Sequence, residues 1–134
     1  MATPGDEVAA GATVVDVSSE SSDSFAASRA VDGDLATEWS SAGDGDDAWI
    51  TVDLGRPVDV AGLTLRSRAM SDGTSVVETL TVTVDGGRTY GPSQGGTAVV
   101  VDEVDLTGRV LRFDAERTTG GTTGAAEIQV FAAP

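Results

Sequence analysis

The stretch AVDGDLATEW, residues 30–39, decides how the rest of the chain is interpreted. It places the carboxylates of Asp32 and Asp34 on either side of a glycine that permits a sharp turn, and the hydroxyl of Thr37 follows. Oxygen atoms at this spacing can wrap around one hard cation, and calcium is the cation that they suit best. Calcium needs about six to eight oxygen ligands, so other parts of the chain must complete the shell. The alternative is that Asp32-Gly33 is a simple turn, that Glu127 is exposed and that no metal is held.

A second stretch, WITVDLG at residues 49–55, alternates Trp49, Thr51 and Asp53 with two β-branched apolar residues and ends on a glycine. This period of two is typical of a half-buried strand that runs into a turn. Similar short apolar runs recur along the chain between turn signals, without a long helical pattern. They predict strands over residues 12–17, 49–55, 58–66, 77–84, 97–101, 109–115 and 127–131. The sequence therefore predicts an all-β protein built as an antiparallel β-sandwich.

A third stretch, GAAEIQVF at residues 124–131, has the pattern of a closing strand. In their order, spacing and position, the three stretches resemble the discoidin, or coagulation factor 5/8 type C, domains and the similar bacterial carbohydrate-binding modules of family 32. The resemblance covers about residues 13–131. It implies a jelly-roll sandwich of the galactose-binding-domain type. It also implies a non-catalytic carbohydrate-binding module that recognises glycan through loops at one end of the sandwich.

The resemblance further implies a structural calcium site. We call residues 32–37 the acidic loop. In the similar modules, backbone carbonyls near the start of this loop and a glutamate on the last strand join the loop side chains around the ion. Such an ion would tie an early loop to the last strand. A second acidic stretch, residues 44–47, lacks the spacing of a helix-loop-helix calcium site and is interpreted as a solvated loop. Carried over onto this sequence, the ligand set is the Arg29 carbonyl, Asp32, Asp34, Thr37, the Ala126 carbonyl and Glu127.

Ligand contacts are predicted just beyond the strand over residues 58–66. In galactose-binding relatives an arginine at this place grips sugar hydroxyls, and Arg68 matches it by position, with Arg66 beside it and Thr122 in a neighbouring loop. A guanidinium fork suits vicinal hydroxyls or a carboxylate. The alternative is an exposed arginine that balances local acids. One departure weighs against a galactose-type site: residues 118–123 carry no aromatic residue, although carbohydrate-binding relatives usually place one there.

The large aromatic residues are assigned to the core rather than to a ligand platform. Trp39 and Trp49 occupy positions that the similar modules fill with tryptophans packed between the sheets, and large aromatic side chains are mostly buried. Phe25 begins a predicted helical turn over residues 25–31 and is also expected to face the core. Sugar stacking by either tryptophan is the alternative.

Composition narrows the function classes. The net charge is −14, and all 8 basic residues are arginines. Such a surface repels phosphate backbones and anionic lipid, so nucleic acid and membranes are disfavoured as partners. The chain has no cysteine and no histidine, which removes the commonest transition-metal ligands and the commonest general base. It also has no nucleophile elbow and no phosphate-binding loop, so an enzyme is not predicted.

The length of 134 residues fits one domain. We predict a flexible lead over residues 1–11, one domain over 12–131 and the start of a linker over 132–134. The polar N-terminus is unlike a signal peptide, so the chain is either cytoplasmic or exported with its signal removed; the resemblance favours a secreted or cell-surface location. The leading functional prediction is glycan or polysaccharide binding, with a linked catalytic domain in a longer parent protein. The alternative is a protein-docking or structural adhesion module without a sugar site.

Overall fold

Antiparallel strands form most of the computed structural model, which describes residues 6–34, 36–97 and 102–133. Three short 3-10 helices lie between the strands in this part of the chain, and none of its helices is long and apolar enough to cross a membrane. The predicted all-β class is confirmed, while residues 98–101 of the predicted strand over 97–101 lie outside the described residues. The strands are β1 Thr13–Val17, β2 Trp39–Ser40, β3 Trp49–Ser67, β4 Val77–Val84, β5 Thr89–Gln94, β6 Asp102–Thr118 and β7 Gly124–Ala132, and the 3-10 helices are Asp23–Phe25, Ala27–Ala30 and Gly45–Asp47.

The two longest strands, β3 and β6, connect the two layers of the sandwich. A straight strand with the 19 residues of β3 would extend over about 60 Å, well beyond the width of a domain of this size. The register of β3 shifts after Asp53, where Gly55 has a φ of 88° and Pro57 follows. Before this point β3 pairs with β1, beyond it with β7, and β6 lies beside both halves. The sequence predicts separate strands over 49–55 and 58–66 because glycine and proline signal a turn, but the structure continues through them as one bent strand.

The strand order β2-β7-β3-β6-β4-β5, with β1 on β3, gathers several loops at one end of the sandwich. The start of β7 lies beside the end of β3, since Ala125 pairs with Ser67. The same residue of β7 pairs with Trp39 of β2. The segments before β2, after β3 and before β7 therefore meet at this end, and most of the predicted site residues lie on them.

The core is built from the inward-facing residues of these strands. On β4, Leu80, Val82 and Val84 are buried, while the threonines between them are only partly buried. Trp39 is 3% exposed and donates its indole N–H to the Ser19 carbonyl at 2.9 Å. The prediction that Trp39 belongs to the core is confirmed. The largest fully buried apolar side chains are Phe113, Ile50, Leu63, Leu80, Leu111 and Ile128.

Trp49 does not join this core. Its neighbours Ile50 and Val52 are fully buried, so the period of two along β3 turns Trp49 to the outer face of the sheet. There the side chain is half-buried, and the guanidinium carbon of Arg112 lies 4.2 Å from the centroid of the indole ring. Arg112 also forms an ion pair with Asp114 at 3.1 Å. The prediction that Trp49 packs between the sheets is wrong, because a cation–π contact on the outer face covers the ring instead.

Residues 6–11, which the sequence assigns to a flexible lead, are docked on β7. The Glu7 carboxylate accepts hydrogen bonds from the backbone N–H groups of Ala9 and Val130 at 2.7 and 2.8 Å. The N–H of Val8 donates to the Val130 carbonyl at 2.8 Å, and Ala9 is fully buried. Local sequence patterns do not show this contact, because one side chain reaches a strand 123 positions further along the chain. The folded domain therefore begins earlier than the sequence predicts.

Candidate functional site

Arg68 lies at the end of the sandwich where the loops meet, immediately after the last residue of β3. The residue is only 7% exposed. Its guanidinium Nη1 donates to the Thr122 carbonyl at 2.5 Å and contacts the Thr122 hydroxyl at 3.2 Å. The Thr122 hydroxyl in turn lies 3.0 Å from the hydroxyl of Ser75. The structure thus brings Arg68 and Thr122 together, and it makes Arg68 a buried anchor rather than an exposed loop residue.

Three further side chains surround Arg68 and reach the surface. The guanidinium carbon lies 5.4 Å from the centroid of the Phe25 ring, which is half-buried. Glu38 Oε1 lies 3.4 Å from Arg68 Nε, and 29% of the Glu38 side chain is exposed. Met70 Sδ lies 3.5 Å from Nη1, and Met70 is 42% exposed. We call Phe25, Glu38, Arg68, Met70 and Thr122 the arginine cluster.

Phe25 lies outside the hydrophobic core, so its predicted core position is wrong. It ends the 3-10 helix Asp23–Phe25, which has no side-chain capping bond at Ser22. The buried residues that follow are the small side chains of Ala27 and Ala30. They let this segment pack closely against the domain, while the ring of Phe25 finds its partner in the guanidinium of Arg68.

Arg66 does not take part in the arginine cluster. It is half-buried on β3 and pairs in register with Glu127 of β7. The register shifts between Arg66 and Ser67, which breaks the alternation that would place Arg66 and Arg68 on one face. Of the two predicted arginines, the cluster therefore forms around Arg68 alone.

The arginine cluster presents groups that can contact a polar ring. Phe25 offers aromatic surface, Glu38 a carboxylate and Thr122 a hydroxyl, and the buried guanidinium of Arg68 contacts Thr122 and Glu38. Aromatic rings pack on apolar CH faces, while charged groups form the stronger hydrogen bonds. This combination suits a ligand that has a flat apolar face and several polar substituents.

The acidic loop before β2 folds around its own oxygen atoms. Asp32 Oδ1 accepts the N–H of Asp34 at 2.9 Å, and Asp34 Oδ1 accepts the N–H of Ala36 at 2.8 Å. The Thr37 hydroxyl bonds to Asp32 Oδ2 and lies 3.1 Å from the Asp34 carbonyl. Gly33, with a φ of 77°, makes the turn that this arrangement needs. The predicted loop ligands Asp32, Asp34 and Thr37 therefore converge.

Glu127 is the buried carboxylate that faces this loop from β7. It is 2% exposed, and its Oε2 accepts the N–H of Gly33 at 3.0 Å. Its Oε1 is buried and has no hydrogen-bond partner in the described part of the chain. The pKa of Glu127 is raised to about 7, mainly because the carboxyl is buried. The hydrogen bond from the Gly33 N–H lowers this pKa, whereas the negative charges of Asp32 and Glu7 raise it further. A cation would stabilise a buried carboxylate that has an unpartnered oxygen and a second carboxylate nearby.

The other two predicted ligands lie next to these groups along the chain. Arg29 belongs to the 3-10 helix Ala27–Ala30, and Ala126 immediately precedes Glu127 on β7. Across residues 6–34, 36–97 and 102–133, no three acidic side chains are grouped closely enough to hold a metal ion by themselves. Backbone carbonyls and the Thr37 hydroxyl would therefore supply part of the oxygen shell. Calcium accepts such mixed shells of carboxylate and neutral oxygen atoms.

Comparison with known families identifies the fold. A family model described as the F5/8 type C domain matches residues 14–128. The chain belongs to the F5/8 type C domain family. The family resemblance noted in the sequence is thus confirmed. Among curated proteins, none matches this F5/8 type C domain.

Solved structures similar to this F5/8 type C domain include carbohydrate-binding modules. A point variant of chitosan-binding module 1, from a chitosanase/glucanase of Paenibacillus sp. IK-5, is 28% identical with a TM-score of 0.73, covering 95% of this chain and 98% of that one. A CBM32 module from Clostridium perfringens, in complex with GalNAc-β-1,3-galactose, is 20% identical with a TM-score of 0.78, covering 95% and 100%. A family 32 module from C. perfringens, in complex with galactose, is 18% identical with a TM-score of 0.75, covering 93% and 97%. The last two show the shared fold.

Sequence patterns alone do not identify Phe25 and Glu38 as site residues of this F5/8 type C domain. Phe25 is a lone aromatic residue in the serine-rich segment 18–28, without apolar partners at a strand or helix period. That isolation is a signal against a core position. Glu38 stands between Thr37 and the buried Trp39, in a stretch where several other acids carry the cation prediction. Only the fold brings these two residues to Arg68.

We predict that the cation-free F5/8 type C domain loses stability through Glu127 as the pH rises from about 4.5 to about 7. The pKa of this carboxyl is raised from 4.5 to about 7 in the fold, so the native state keeps a proton that the unfolded chain releases. Because the native state binds more protons in this range, its stability falls with rising pH. Thermal melts in a chelating buffer across the range should show a flatter pH dependence for Glu127→Gln than for wild type. Parallel curves for the two proteins would contradict the prediction.

Proposed function

We propose that this F5/8 type C domain is a non-catalytic carbohydrate-binding module that holds its glycan at the arginine cluster. The observation that carries the proposal is the buried guanidinium of Arg68, bound by Thr122 and Glu38 and covered by the ring of Phe25. Sugar CH faces pack on aromatic surface. Phe25 supplies this surface from the 3-10 helix Asp23–Phe25, in place of the aromatic residue that residues 118–123 lack.

Amino-sugar polymers such as chitosan are the ligand class that the charge of the site favours. The Glu38 carboxylate is partly exposed and contacts Arg68 through Oε1. A protonated sugar amine forms a charge-assisted hydrogen bond to such a carboxylate. The net charge of −14 also attracts a cationic polymer to the surface of the domain. The relative with 28% identity is a chitosan-binding module, which supports the same class.

Calorimetric titration with chitotriose, its N-acetylated form and galactose tests this proposal, together with affinity gels that contain chitosan. Exchange of sugar hydrogen bonds against water leaves little net energy per bond, so a single sugar is expected to bind at about millimolar strength and the trimer more tightly. Phe25→Ala and Glu38→Gln are each expected to weaken chitotriose binding about tenfold or more. Glu78→Gln, which removes the same charge from an exposed position on β4, is the matched control and should leave binding unchanged.

The outcomes separate the parts of the proposal. Binding of galactose without binding of chitotriose would exclude amino-sugar polymers as the ligand class, but it would still support a carbohydrate-binding function. Chitotriose binding that survives both Phe25→Ala and Glu38→Gln would move the ligand away from the arginine cluster. A wild-type domain that binds no glycan would overturn the function and favour the protein-docking alternative.

We also propose a structural calcium ion between the acidic loop and β7. The observation in its favour is the buried Glu127 Oε1 without a hydrogen-bond partner in the described residues, close to the charge of Asp32. When bound, the ion would neutralise these carboxylates and join the loop to the last strand. The groups that would hold it are the side chains of Asp32, Asp34, Thr37 and Glu127 and the backbone carbonyls of Arg29 and Ala126.

Calcium is expected to raise the melting temperature of the chelator-treated domain. An ion that binds only the native state adds about 2.7 kcal/mol at a concentration 100 times its dissociation constant. Differential scanning calorimetry with calcium after chelator measures the shift. Magnesium, which demands a tighter octahedral shell, serves as the control cation and is expected to shift the melting temperature less. A melting temperature that neither chelator nor calcium changes would contradict the calcium site.

In a longer parent protein, we propose that the domain keeps a linked hydrolase close to its polysaccharide and is exported or displayed at the cell surface. The chitosan-binding relative derives from a chitosanase/glucanase, which supports this arrangement. Weak binding at one site becomes effective when the module is linked to a second binding unit, because the second contact is then intramolecular.

A further inference from the structure

The proposed calcium site and the arginine cluster share one loop. Thr37 is the loop residue whose hydroxyl joins the cation ligands, and the next residue, Glu38, is the carboxylate that lies 3.4 Å from Arg68 Nε. On the far side of Glu38 the chain is fixed, because Trp39 is 3% exposed and its indole N–H is bound to the Ser19 carbonyl. The position of Glu38 therefore depends on how Thr37 is held.

In the described part of the chain, the bonds to Thr37 come from inside the acidic loop. Its N–H donates to the Asp34 carbonyl at 3.3 Å, at the long end of the hydrogen-bond range. Its hydroxyl bonds to Asp32 and to the Asp34 carbonyl. The loop itself is joined to β7 by the N–H of Gly33 on the carboxylate of Glu127 at 3.0 Å. The loop that holds Thr37 is thus attached to the last strand through the carboxylate of Glu127.

A separate observation indicates a ligand at this place. Glu127 is 2% exposed, and its Oε1 has no hydrogen-bond partner within the described residues. When both groups are ionised, this carboxylate and that of Asp32 repel each other where the loop meets β7. A divalent ion would replace the repulsion by attraction to both groups, and it would hold the loop against β7.

We propose that the cation positions Glu38 and thereby raises the glycan affinity of the arginine cluster. The inference rests on the proposed glycan site and on the proposed ion. The ion acts through Thr37 and the backbone to Glu38, and it makes no contact with the sugar. By linkage, the glycan must raise the affinity for calcium by the same factor. We expect a factor of about five or more, which is the lower end of typical couplings between protein sites.

Calorimetry with calcium, with chitotriose, and with each in the presence of saturating amounts of the other tests the coupling. The expected result is the same strengthening in both directions. Thr37→Val, which removes the hydroxyl that faces the loop, should bring the factor close to one. Thr83→Val is the matched control and should leave the coupling factor unchanged. Thr83 lies on the outer face of β4, and among the described residues its hydroxyl bonds only to Thr89. Calcium that raises the melting temperature but leaves the chitotriose affinity unchanged overturns the coupling and leaves both proposed sites standing.

A second measurement needs no glycan. The NMR signal of the Arg68 Nε–H group reports on Glu38, because the two groups lie 3.4 Å apart. Calcium is expected to shift this signal in the wild type and to shift it less in Glu38→Gln. A signal that stays in place while calcium raises the melting temperature overturns the coupling. If chitotriose does not bind, the proposed function fails, and a calcium-dependent shift still supports the link between loop and cluster. If the domain binds no calcium, both the proposed calcium site and the proposed coupling are overturned.

Discussion

Trp39→Ala is expected to lower the free energy of unfolding by about 3–5 kcal/mol, as truncation of large buried aromatic residues does. Trp39 is 3% exposed, and its indole N–H donates to the Ser19 carbonyl at 2.9 Å. Truncation would leave a cavity and a carbonyl without its donor. Because Trp39 pairs with Ala125 at the start of β7, the loss would also loosen the end of the sandwich that carries the candidate sites. Denaturant unfolding followed by circular dichroism measures the change.

Trp49→Ala is the matched control for this substitution. Trp49 is half-buried on the outer face of β3 and is covered by Arg112, so its truncation opens no cavity between the layers. We expect a loss of about 1–2 kcal/mol from partial burial and the cation–π contact. Equal losses in the two variants would show that Trp49 supports the core as much as Trp39 does.

Arg68→Ala is expected to lower the free energy of unfolding by about 2–4 kcal/mol and to abolish measurable chitotriose binding. The guanidinium binds the Thr122 carbonyl at 2.5 Å and lies 3.4 Å from Glu38. Its removal leaves a carbonyl and a carboxylate without their partner, and each unsatisfied group costs about 1–3 kcal/mol when buried. The partial exposure of Glu38 keeps the total below that of a fully buried ion pair. Denaturant unfolding and calorimetric titration measure the two effects.

Two further variants, Arg112→Ala and Arg68→Lys, serve as controls for Arg68→Ala. The Arg112 side chain is 44% exposed, so its loss is expected to change stability by about 1 kcal/mol or less and to leave glycan binding intact. Arg68→Lys keeps the charge and loses the planar fork, so it should restore part of the stability without restoring binding. An Arg68→Ala variant that remains fully stable and still binds chitotriose would contradict the place of Arg68 in the cluster.

The sandwich could be predicted from the sequence because strand alternation is a local property. The strand predicted over residues 77–84 is β4 of the structure, with the expected apolar face turned inward. The acidic loop could also be predicted, since Asp32, Asp34 and Thr37 lie within six residues of one another and converge through local turns. Residues that lie close together in sequence need little help from the rest of the fold to meet.

Trp49 shows where two sequence signals disagree. The family resemblance places it between the sheets, whereas the alternation groups it with Thr51 and Asp53, opposite the fully buried Ile50 and Val52. The structure follows the alternation, because side chains on a strand cannot change faces without a bulge. The local period was the better guide at this position.

The composition of the arginine cluster could not be predicted, because its members come from four separate segments. Phe25, Glu38, Arg68 and Thr122 meet only after β2, β3 and β7 have assembled. The burial of Arg68 is also a property of the packed loops, since nothing in the sequence next to it differs from an exposed arginine. Long-range contacts of this kind need the fold before they can be seen.

The docked N-terminal segment covers part of the edge of β7, and we expect it to protect the domain against aggregation. β2 pairs only with Gly124 and Ala125 of β7, and further along the same strand residues 6–8 cover the edge around Val130. An open strand edge is a template on which another chain can add a strand. A domain shortened to begin at Ala12 would expose this edge of β7 and leave a cavity where Ala9 is buried. Most of its core would remain, but we expect it to form fibrils or to precipitate.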